Sequence, residues 1–156
     1  MPASRRYEPV RRFEEGTESN KDKEGKLLST LPLYLAYVAT AVGLLGGFTV
    51  VYMYITPYHE VRLIRAGNRA AAFSLGGVLI GFGLVLASTA AHSVNLLDMV
   101  LWGAVALAFQ ILVFFAAALL LKDLRAGIEA DKHSYGMIVA AMSITMGLIN
   151  AGAVTY

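Results

Sequence analysis

The chain has 156 residues, 57% of them hydrophobic, with a net charge of +2 and a mean hydropathy of +0.60; so apolar a chain of this size cannot hide its greasy surface in one small water-soluble core. Thirteen Lys and Arg against eleven Asp and Glu leave no clustered basic excess, which argues against nucleic acid as a partner. The absence of cysteine excludes disulfide scaffolds, thiol catalysis and Cys-based zinc sites.

Residues 1–30 hold seven Lys/Arg and six Asp/Glu, and the remaining chain only six and five. That composition predicts a solvated, disordered tail ahead of a membrane core. The opening Met1-Pro2-Ala3-Ser4-Arg5-Arg6 leads into charges instead of an apolar stretch, so neither a cleavable signal peptide nor a twin-arginine export signal is expected.

Four later runs, 27–58, 70–91, 99–121 and 134–156, contain no Asp, Glu, Lys, Arg or His, and each reaches the ~20 residues that a spanning helix needs. Spans are predicted within 31–56, 70–92, 98–121 and 135–155. The expected fold is all-α: an integral membrane four-helix bundle built from two tandem two-helix repeats, 31–96 and 97–156, behind the tail 1–30. In the first span Tyr34 and Tyr54 are 20 residues apart, about 30 Å of helix, which suits one ring at each interface. Tyr37, Tyr52, Tyr58, Trp102, Tyr135 and Tyr156 also fall near span ends, where amphipathic rings keep their polar atoms wet. Pro57 ends or kinks the first span, Asn68 caps the second, and Asn95 with Asp98 reads as a capping box opening the third.

A shift of 63 positions lays His59-Glu60-Val61-Arg62 over Lys122-Asp123-Leu124-Arg125, and Asn68-Arg69 over Asp131-Lys132. One further residue of offset aligns Gly83 to Ala87 with Gly147 to Ala151, as expected of a fused and diverged pair. Each copy has an even number of spans, so both would share one orientation about an axis along the membrane normal.

Membrane helices associate through small residues and a few polar contacts. Gly136, Ala140, Ser143, Gly147 and Asn150 make one small face on the fourth span; Ser74, Gly77, Gly81 and Ser88 make another on the second, with Gly76 and Gly83 beside it. Gln110 shares a face with Gly103, Ala106, Val113 and Ala117 at mid-depth in the third span. Gln110 and Asn150 are candidates for interhelical hydrogen bonding, with the lining of a permeation path as the competing role. No ionisable residue lies at the centre of a span, which weighs against proton relays and ion-coupled pumping.

Arg62, Arg65, Arg69, Lys122, Arg125 and Lys132 all fall in the first and third loops. The positive-inside rule then places those loops in the cytoplasm and both termini in the periplasm, although Arg11, Arg12, Lys21, Lys23 and Lys26 pull the other way. His59, Glu60, Arg62, Arg65, Arg69, Lys122 and Arg125 are candidate contacts for anionic lipid or a partner. His92 and Asp98 lack a third ligand and a nucleophile, so no metal site, catalytic group or cofactor is expected.

The segment Tyr54-Ile55-Thr56-Pro57-Tyr58-His59-Glu60, then Arg62-Leu63-Ile64 and Asn68 to Ala90, resembles the YjfL-like bacterial inner-membrane proteins, the domain-of-unknown-function 350 family. Trp102-Gly103, Gln110 to Phe114, and Gly147 to Tyr156 extend the resemblance over about residues 33–156. It implies a four-span protein of the bacterial inner membrane built from two such domains, with the N-terminus outside and no assigned catalytic residues. By analogy it also implies a membrane-associated partner of the membrane-stress type. The leading expectation is a non-enzymatic membrane component acting through homo-oligomerisation, or through docking of such a partner or anionic lipid. The alternative is a small channel or carrier with Gln110 and Asn150 on a path between the repeats.

Overall fold

A computed structural model describes the backbone of residues 8–155 and the side chains of residues 25–155. Residues 1–7, the side chains of Arg11, Arg12, Lys21 and Lys23, and Tyr156 therefore lie outside the described residues. Six helices follow in order: α1 (Glu8–Ile55), α2 (Glu60–Arg65), α3 (Arg69–His92), α4 (Leu96–Leu120), α5 (Leu124–Glu129) and α6 (His133–Ala153). Among the described residues four helices are long and apolar enough to cross a membrane: Gly25–Ile55, Arg69–His92, Leu96–Leu120 and His133–Ala153. These match the expected spans to within a few residues at most ends. The first begins earlier, because helix runs without interruption from Glu8, through the part of the tail expected to be disordered, into the apolar segment. The Glu- and Lys-rich stretch before Leu27 is made largely of good helix formers, and an adjoining apolar helix removes the cost of nucleating a new one.

The chain divides into two units, Met1–Val38 and Ala39–Tyr156. In the first, the described helix carries Pro32 in its interior and leaves Leu27, Leu28, Leu31, Leu33 and Leu35 exposed, as a lipid-facing segment does.

The second unit is a bundle of the α1 segment from Ala39, α3, α4 and α6. Its tightest contact is α3 against α6, and the small residues explain it. A Cβ placed on Gly136 would collide with the Ala70 backbone, one on Gly77 with Ala140, one on Gly81 with the Ser143 carbonyl, and one on Gly147 with the Gly81 backbone. Partner numbers rise together, so the two helices run parallel, and the Ser88 hydroxyl closes the far end by donating to the Ala151 carbonyl at 2.7 Å. Gly76 and Gly83, beside the stripe on α3, have open space where a side chain would begin, with no packed neighbour within 4 Å of that position.

α4 packs on both members of that pair. α1 meets the others through large side chains: Phe48 stacks on Phe82 of α3 with ring centroids 4.2 Å apart, and Tyr52 meets Phe114 of α4 edge-on at 5.6 Å. Aromatic contacts of this kind span a wider gap than glycine contacts.

Local signals set the ends. α1 stops at Ile55, two residues before Pro57. The Asn68 side chain accepts from the Ala71 amide at 2.7 Å, capping α3. Asn95 accepts from the Asp98 amide at 2.9 Å, while Asp98 reaches back to the Val94 amide at 3.2 Å, one residue before the position that a standard capping box would use.

Candidate functional site

The first and third loops, expected to carry the interacting residues, come together at one end of the second unit. Each contains a single short helix, α2 or α5, and the two loops are tied by hydrogen bonds between residues about 60 positions apart. Asn68 donates from Nδ2 to the Ile128 carbonyl at 2.7 Å. Asp131 accepts from the amides of Arg69 and Ala70 at 2.7 and 2.8 Å, so it supplies the α3 N-terminus with an anion from the other loop. The Ala70 amide, followed by His133 and the Arg69 amide, holds the Asp131 carboxyl below its ordinary range.

Between the loops lies a recess of about 360 Å³ lined by Thr56, Tyr58, His59, Arg62, Arg125 and Glu129, among others. Arg62 and Arg125 reach it from different loops. Arg125 donates from Nε to Glu129 Oε1 at 2.9 Å, in a pair more than 40% exposed on both sides, where an ion pair contributes little to stability. Arg62 makes no ion pair among the described residues, and with His59 and Lys122 it is exposed. Arg65 and Arg69 are exposed but do not line the recess.

Glu60 departs from the expectation that it joins these contacts. It opens α2 with its side chain turned inward and only 1% exposed, and burial pushes its carboxyl above the ordinary range. Tyr58 and Tyr52, expected to wet their hydroxyls at an interface, are buried as well; the Tyr58 hydroxyl lies 3.4 Å from Ser74 Oγ, and burial raises its pKa. A charged loop after a proline reads as solvent-exposed, and nothing in residue spacing signals that one carboxylate turns under it. Tyr34 and Tyr54, by contrast, are exposed as the belt requires.

Gln110 is buried on the expected face and donates from Nε2 to the Ser143 carbonyl at 3.1 Å. This is an interhelical bond to backbone, and it leaves the buried Oε1 of Gln110 without a partner among the described residues. Asn150 sits elsewhere, on a mainly apolar cleft of about 360 Å³ lined by Val85, Trp102, Phe109, Met146 and Val154, with its Nδ2 buried and unpaired. Gln110 does not line that cleft. Among the described residues no group of three His, Cys, Asp or Glu is placed to hold a metal ion. His92 Nδ1 lies 2.8 Å from the Ser88 carbonyl, and Asp98 serves as a cap.

Comparison with known proteins agrees with this architecture. The family model described as Domain of Unknown Function (DUF350) matches residues 26–154. The chain is 32% identical over 130 residues to the UPF0719 inner membrane protein YjfL of Escherichia coli K12, covering 83% of this chain and 98% of that one. It is 26% identical over 121 residues to the UPF0719 transmembrane protein YshE of Bacillus subtilis, covering 76% and 90% of the two chains. No solved structure matches it.

Proposed function

The chain belongs to the DUF350 family and is a multi-pass protein of the bacterial inner membrane, and we propose that it acts there as a non-enzymatic component whose paired loops dock anionic lipid. The observation that carries this reading is the recess shared by Arg62, His59 and Arg125, which presents cations from both loops beside the ends of spanning helices. A lipid phosphate suits that position: guanidinium groups offer bidentate donors to phosphate oxygens, and the acyl chains run alongside the helices. The loops then face the cytoplasm, where anionic lipid and the positive-inside rule both favour basic residues, and both termini are periplasmic.

The same loop face is where a membrane-associated partner of the stress-response type would meet the protein, and the lipid-exposed helix faces would serve self-association. Residues 31–96 and 97–156 are read as diverged copies, supported by the succession of long, short and long helix in each and by facing pairs such as Gly77 with Ala140, 63 positions apart. A channel lined by Gln110 and Asn150 has less support, because Gln110 uses one of its two amide hydrogens on Ser143 and does not line the apolar cleft on which Asn150 sits.

The test is lipid retention by the purified protein. Native mass spectrometry should detect more bound phosphatidylglycerol than phosphatidylcholine, with Arg62→Gln/Arg125→Gln lowering the anionic-lipid affinity roughly tenfold, the effect of losing two exposed phosphate contacts. Equal retention of both lipids by the native protein would overturn the proposal.

A further inference from the structure

Beneath the recess is a second polar feature on which the lipid reading does not depend. Glu60 is the one charged residue among the described residues with its side chain fully buried, and its Oε1 has no hydrogen-bond partner. A buried carboxylate without a countercharge is unstable in a low-dielectric interior and must be neutralised. No Lys or Arg does so: apart from the phenols, the charged group that the carboxyl feels is His59 beside it, and the Thr56 hydroxyl donates its hydrogen to the Tyr52 carbonyl at 3.1 Å.

The surroundings are rich in oxygen. α1 brings Tyr52, 1% exposed, whose hydroxyl is likewise without a partner. The turn after α1 brings Tyr58, and α3 brings Ser74, buried and 3.4 Å from the Tyr58 hydroxyl. Both phenols lie close enough to feel the Glu60 charge, and Tyr52 faces the Ser74–Tyr58 pair. Two buried oxygens that no protein group satisfies thus belong to one niche, drawn from three consecutive segments of chain.

We propose that the Glu60 carboxylate, with the hydroxyls of Tyr52, Tyr58 and Ser74, binds a small alkali cation under the loop face. Oxygen donors select a hard cation. A single carboxylate sets its charge at one, since a divalent ion would keep an uncompensated positive charge in a site where Glu60 is the only buried acid among the described residues. The route in is short, because Thr56, Tyr58 and His59 also line the recess above.

Protons compete for the same oxygen. Burial raises the Glu60 pKa, so the stability contributed by the neutral carboxyl is complete at pH below the ordinary carboxylate range and is lost as pH rises through the raised value. Above that value the cation takes the proton's place. Of the facing groups, His59 opposes the shift, Tyr52 and Tyr58 are neutral phenols, and Ser74 does not ionise in this range.

The experiment measures thermal unfolding of the full chain in detergent, in lithium, sodium or potassium chloride against choline chloride at equal ionic strength, from mildly acid to alkaline pH. At alkaline pH an alkali cation should raise Tm by several degrees over choline, and its apparent Kd should weaken about tenfold per pH unit below the Glu60 titration. Glu60→Gln, neutral and of the same shape, should fold and lose the cation dependence at every pH. Tyr52→Phe should keep the fold and weaken the cation affinity roughly tenfold, as loss of one ligand does. Identical Tm in choline and in every alkali chloride across the range would overturn the proposal and leave Glu60 carrying a proton alone. A cation shift that persists undiminished in Glu60→Gln, or in Tyr52→Phe should the first variant fail to fold, would overturn it equally.

Discussion

Gly81 and Gly147 lie where α3 and α6 approach closely, and what they do follows from the missing methyl. A Cβ on Gly147 would meet Gly81 backbone, which cannot swing aside as a flexible side chain can. Gly147→Ala should therefore lower stability in a detergent unfolding titration by about 1–3 kcal/mol, the range for overpacking a close contact. Gly83→Ala, with open space around it, should change stability by less than ~0.5 kcal/mol. Equal effects from the two would mean that α3 and α6 do not meet along this stripe. The stripe is legible in the sequence because small residues at intervals of three and four have one structural use between membrane helices. Asn68 is legible as a cap for the same kind of local reason. Its second bond, to Ile128, and the reach of Asp131 to the start of α3 are not, since both join loops about 60 positions apart. Glu60 escapes a reading from composition, which reports the average habit of a loop and not the direction of one side chain.

At the scale of elements, the four spans are readable from uncharged length alone, and the short helices α2 and α5 are not. Six residues such as Glu60–Arg65 are too few to show a helical period, and their helicity comes from the turns that hold them. The early start of α1 is hidden for a different reason: charge argues for disorder, whereas the backbone continues as helix from Glu8. Parallel pairing of α3 with α6 is the arrangement on which the unit from Ala39 depends, and the absence of native cysteine makes it simple to check. Ser88→Cys with Ala151→Cys should be joined within one chain by a short bifunctional thiol reagent, given the 2.7 Å bond between these positions. Ser88→Cys paired with Ser134→Cys, at the exposed start of α6, should not react. Linkage of the second pair and not the first would show the helices antiparallel.

For the whole molecule, the governing fact is apolar length: four helices compatible with the hydrocarbon, in a family whose relatives from Escherichia coli and Bacillus subtilis carry membrane names. With four spans the first and third loops must share a face, and that juxtaposition brings Arg62 toward Arg125 and lets Asp131 cap α3. Both the lipid reading and the loop-to-loop hydrogen bonds fail if the loops lie on opposite sides. The most direct measurement is labelling of single cysteines by a membrane-impermeant maleimide in sealed vesicles of known orientation, at Arg65→Cys in the first loop, Val94→Cys in the second and Lys122→Cys in the third, all exposed positions. The account predicts that the first and third are labelled from one side, the cytoplasmic one, and Val94→Cys only from the other. Labelling of Arg65→Cys and Lys122→Cys from opposite sides would contradict it.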